Sequence, residues 1–113
     1  MTLGRDRMRN AGGDVTSLNQ DPVIQGHREQ IATNDLKILQ ALNARIDLVK
    51  RLKDYKATQG LGFLDAAQEE RVIAELGQAN AGPMSAEGLR EIYGFILDWT
   101  KREAARLGAA DTE

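Results

Sequence analysis

Between Pro22 and Gly60 the chain repeats one apolar face. Ile31, Ile38, Leu42, Ile46, Val49 and Leu52 follow the three-and-four spacing that marks the buried side of an amphipathic helix. Asp21-Pro22 supplies an N-cap and the imino acid favoured at the first helical position, and only Gly26 interrupts the run before Gly60. At 1.5 Å per residue, a helix over 22–59 extends about 57 Å, well beyond the ~30 Å of a small domain. One short chain cannot cover such a rod, so the pattern predicts that its uncovered end is buried against another molecule.

Two shorter helices follow the glycine turn at 60–62. Asp65 caps one whose stripe is Glu69, Val72, Ile73 and Leu76, and Asn80-Ala81-Gly82-Pro83 closes it with glycine and then proline. Ser85 opens the other, whose stripe of Leu89, Ile92, Tyr93, Ile96, Leu97 and Thr100 continues to about Leu107. No strand pattern or internal repeat competes. The expected fold is all-α, with one long and two shorter helices per chain, in an intertwined homodimer. Residues 1–20, with Gly4, Gly12 and Gly13 and no period, read as a mobile tail, 21–108 as the helical domain and 109–113 as a second tail.

Composition narrows the chemistry. The 113 residues make one ordinary domain at most, and 42% apolar with only 4% aromatic content favours aliphatic helix packing. Fifteen basic and seventeen acidic side chains leave a formal charge of −2, so no global field recommends nucleic acid or an anionic membrane as partner. Without cysteine, and with His27 as the single histidine, disulfides, thiol catalysis, Cys/His zinc sites and a Ser-His-Asp triad all fall away. No apolar run approaches the ~20 residues of a membrane span, and the first twenty residues lack the apolar centre of a signal peptide. A cytoplasmic location is expected.

Local chemistry is concentrated on the long helix. Eleven residues bring Lys56 to within about 20° of Arg45 and about 16 Å along the axis, so the two cations share the border of the apolar stripe. Taken alone, that placement suits long stems that lie over apolar neighbours and lift their heads into water.

The ordered set REQI at 28–31, ND at 34–35, LNARI at 42–46, YK at 55–56, FLDAAQEE at 63–70, NAGP at 80–83 and EIYGFIL at 91–97 resembles the all-helical (AroQ) class of chorismate mutases. It covers 22–107 in unbroken order. The resemblance implies a dimer of three-helix chains that converts chorismate to prephenate by a pericyclic rearrangement, with no cofactor, metal or covalent intermediate. It implies that Arg45 binds a substrate carboxylate, that Lys56 donates to the enol-ether oxygen, and that Arg28 binds the second carboxylate. Glu69 would accept a hydrogen bond from the ring hydroxyl. Asp65 would stand at the helix start near that hydroxyl, and Thr100 near a carboxylate. Arginine suits a carboxylate because its planar fork matches it, whereas lysine suits a single atom. Arg28 lies seventeen residues before Arg45, about 25 Å along the helix and about 100° around it, so one chain cannot clasp a small molecule with both. In an antiparallel dimer, Arg28 would come from the partner.

Two positions depart from the family pattern. Gln68 stands in Asp65-Ala66-Ala67-Gln68-Glu69 where arginine is usual, and with Asp65 it also fits a capping box. Late in the third helix, where the family uses glutamine or protonated glutamate as second donor to the ether oxygen, counting from Tyr93 reaches Ala104, with Glu103 adjacent; Glu103 would have to be protonated to donate. Lower activity, an acidic optimum or an activating partner enzyme is the expected consequence. Arg28 also fits a pair with Asp35, and Thr100 fits simple packing. His27 reads as a surface residue, Trp99 as a partly buried interface residue, and Lys50-Arg51-Lys53-Asp54 and Lys101-Arg102-Glu103 as solvated faces. Related helical enzymes eliminate pyruvate from isochorismate or rearrange 4-amino-4-deoxychorismate, and the cationic cage does not separate these substrates. Gln68 is the position nearest the ring substituent. A helical dimerisation module without a ligand is the remaining alternative.

Overall fold

The computed structural model describes residues 20–111. They form three helices, α1 (Pro22–Thr58), α2 (Ala66–Ala79) and α3 (Ala86–Asp111), and no strand occurs among them. The proposed tail over 1–20 lies outside the described residues except for Gln20. No described helix is long and apolar enough to cross a membrane.

Each helix starts at the residue whose side chain satisfies its free backbone donors. The Val23 amide donates to Asp21 Oδ1 at 2.7 Å, the Gln68 amide to Asp65 Oδ1 at 3.1 Å, and the Gly88 amide to Ser85 Oγ at 2.9 Å. Ser85 carries no expected site role, so it isolates the effect of a cap. Ser85→Ala is expected to cost about 1 kcal/mol, lowering the urea midpoint without changing the slope of the transition.

The chain falls into two units that divide α1 after Gln40. In the first, the large apolar residues of α1 other than the half-buried Ile24 are exposed, from Ile38 at 50% to Val23 at 66%. In the second, Ile46 is buried and Leu42 and Val49 are half-buried, but Leu52 is exposed. The expected stripe is therefore covered by its own chain only around Ile46, and Ile31, Ile38 and Leu52 are not core residues of a single chain.

The core of the second unit lies where α2 meets α3. Ile73, Leu89 and Leu97 are buried together, with Val72, Leu76 and Tyr93 packed against them. Each fully buried side chain of this kind stabilises by about 1.5–3 kcal/mol. Leu89, Tyr93, Leu97, Thr100 and Ala104 turn to one side of α3, and at 100° per residue Ile92 falls about 100° off that direction. It is accordingly 48% exposed rather than part of the core. The helix also outruns the expected end near Leu107 and continues to Asp111. Ala109 and Ala110 are strong helix formers, and one glycine, Gly108, costs only about 1 kcal/mol in a helix.

Candidate active site

Lys56 sits where α1 ends, and the way α1 ends fixes it. The Leu61 amide donates to the Lys56 carbonyl at 2.9 Å and the Gly60 amide to the Ala57 carbonyl at 3.1 Å, the paired bonds of a Schellman cap. Such a cap needs a left-handed residue, and Gly60 supplies it at φ 71°. The reversal brings Phe63 back to the helix. Lys56 Nζ donates to the Phe63 carbonyl at 3.3 Å and stands 5.9 Å from the centre of its ring, at the edge of cation–π range. Lys56 is half-buried, as is Arg45 earlier on the same helix.

Glu69 projects from the first turn of α2 and is half-buried. Lys101 of α3 meets it, Nζ to Oε2, at 2.6 Å, and Asp98 stands 3.6 Å from the same ammonium. Lys101 is thus not part of a solvated face. The hydrogen bond that Lys101 donates to Glu69 is the main cause that holds its ammonium above the usual lysine range, against a smaller opposing effect of burial. A raised lysine pKa means that this side of the pair stabilises the fold through neutral pH, and the contribution is lost only as pH climbs past the ordinary lysine value near ~10.4 and through the raised one. The sequence signal for Lys101 was positional. It lies four residues after Leu97, and Glu69 four before Ile73, so each flanks one of the two facing stripes.

The other expected residues divide. Asp65 caps α2, but Gln68 does not complete a capping box. Its Oε1 instead accepts from Arg71, at 2.7 Å from Nη2 and 3.1 Å from Nε, so a guanidinium is tied to the position where arginine is usual. Thr100 and Ala104 are fully buried, and the Thr100 hydroxyl donates to the Ile96 carbonyl within its own helix. Glu103 is half-buried and accepts from Arg106 Nη2 at 3.1 Å. The inward late-helix position is therefore Ala104, which has no donor to offer. Arg28 belongs to the first unit, where its side chain is exposed, and so is that of His27. Trp99 is half-buried. No group of three or more His, Cys, Asp or Glu that could hold a metal ion occurs among the described residues.

An open depression of about 430 Å³ in the second unit is lined by Lys53, Phe63, Leu64, Asp98, Lys101, Arg102 and Ala105, and so takes in the Phe63 that anchors Lys56 and the Lys101 that pairs with Glu69, but none of the expected site residues themselves. Its size suits a small ligand, and its three cations, against the one carboxylate of Asp98, and its three apolar side chains suit an anion with a hydrocarbon body. The family model for chorismate mutase type II matches residues 27–105, a stretch that includes every one of the candidate site residues. The chain belongs to the chorismate mutase type II family. Comparison with curated proteins and with solved structures finds no match. For a member of this family, chorismate mutase activity is supported in general, with a chorismate-like dianion as the ligand.

Proposed function

We propose that this protein rearranges chorismate to prephenate in a site completed by a second copy of the chain. In this reaction the enol-ether C–O bond breaks as a C–C bond forms within the same molecule, and negative charge gathers on the ether oxygen. No proton has to move. What accelerates it is a clamp that holds the two reacting ends together and a fixed donor where the charge develops. Lys56 is the donor: its ammonium is half-buried and held by the reversal after α1 rather than swinging in solvent. Arg45 takes one carboxylate, Arg28 of the second chain takes the other, and Glu69 accepts from the ring hydroxyl. Asp65 keeps the first turn of α2 in place beneath Glu69.

The observation that carries the reading is the match of the family model over 27–105 together with the anchored Lys56. The exposed apolar face of α1 supports the dimer, because a face with Ile31 at 61% and Leu39 at 55% exposure is what an intertwined partner would cover. Thr100 is a wall of the core in this scheme, and Glu103 lies outside the reacting centre. With Ala104 at the late-helix position, the ether oxygen has one side-chain donor rather than two. A slow enzyme, or one that works with an activating partner, is the consequence.

The test is to incubate the purified protein separately with chorismate, isochorismate and the 4-amino analogue, and to follow prephenate and pyruvate. Prephenate from chorismate is expected. Pyruvate from isochorismate alone would move the assignment to a lyase, and no turnover of any of the three would leave a helical dimerisation module.

A further inference from the structure

The ion pair between Glu69 and Lys101 is not needed for Glu69 to accept a hydrogen bond, since a bare carboxylate does that as well. What the pair changes is net charge. A bare carboxylate attracts a positively charged substituent; one neutralised by an ammonium at 2.6 Å still offers an acceptor but has little net attraction for a cation. Lys101 contacts Oε2, which leaves Oε1 of Glu69 for a second donor. Lys101 is held in this position, with a side chain only 24% exposed. Asp98 also faces it, but at 3.6 Å and 67% exposed, where solvent screens most of its effect.

Building on the proposed function, we infer that Lys101 determines specificity: through Glu69 it makes the site accept a neutral ring hydroxyl and reject the ring ammonium of the 4-amino analogue. An alkyl amine carries a proton at neutral pH. Bound to Oε1 of Glu69, that ammonium would stand only a few Å from the ammonium of Lys101, with the Glu69 charge already matched and that of Asp98 largely screened by solvent. The repulsion acts against the wrong substrate and leaves the right one untouched. Gln68 does not supply this discrimination, because its carbonyl is occupied by Arg71.

The experiment compares kcat/KM for chorismate and the 4-amino analogue in the wild-type protein, Lys101→Met and Lys101→Arg, with far-UV circular dichroism on each. The wild type should prefer chorismate by at least about tenfold, Lys101→Met should reduce that preference by about tenfold or more, and Lys101→Arg should keep it. A clip that merely joins α2 to α3 would lower both substrates equally in Lys101→Met. Such an equal fall, an unmoved preference, or a wild-type preference for the amine overturns the inference. If Lys101→Met does not fold, Lys101→Gln takes its place under the same criteria. Wild-type protein that turns over neither substrate removes the proposed function and this inference with it, whereas turnover of chorismate with an unmoved ratio removes the inference alone.

Discussion

Lys56→Ala is expected to lower chorismate turnover by about 10²–10³-fold or more while the helical far-UV signal stays unchanged. Even modest enzymatic acceleration, about 10⁶-fold, requires about 8 kcal/mol. One fixed donor at a developing oxyanion supplies about 2.7–4 kcal/mol of that. In the proposed site, Ala104 is fully buried and has no donor, so that nothing at the late-helix position would share the load with Lys56. The structural cost of the substitution is small by comparison. It removes one hydrogen bond of 3.3 Å to the Phe63 carbonyl, about 1 kcal/mol, and the Schellman cap uses only the backbone of residue 56. Steady-state kinetics beside circular dichroism separates the two effects, and an active Lys56→Ala protein removes this lysine from the mechanism.

Mixed dimers provide the second large effect. Arg28→Ala and Arg45→Ala should each be nearly inactive as homodimers, since loss of a carboxylate's partner typically costs about 2–5 kcal/mol in a desolvated site. When the two variants are combined in one dimer, one pocket lacks both arginines and the other keeps both. Activity near half that of the wild type is expected in purified heterodimers carrying two different affinity tags. Heterodimers that remain inactive would place the two arginines in separate functions. The geometry behind this is helical repeat alone: seventeen residues separate Arg28 from Arg45, about 25 Å along one axis.

What could be read from the chain was what local chemistry determines. Asp21-Pro22, Asp65 and Ser85 start helices because each side chain reaches a donor two or three residues on, and that information is contained in a few consecutive residues. The α2–α3 core was legible for the same reason, since Ile73, Leu89 and Leu97 recur with the helical period. Partners across the fold were not. Lys101 lies in a charged run, and its bond to Glu69 links residues on different helices, a pairing that no local pattern reveals. The capping box that Gln68 also fitted does not form, because Arg71 competes for the same side chain and the charged donor won. Ile31 and Ile38 show the limit of periodicity, which marks an apolar face without saying whose surface covers it.

Gly60 gains importance from this arrangement without touching any ligand. Its φ of 71° is open to few other residues, and the turn that it permits returns Phe63 to the lysine. A side chain there would meet no neighbour, so crowding is not what keeps the position small. The constraint is torsional, and evolutionary drift at this one link would be felt as a shifted ammonium several residues away.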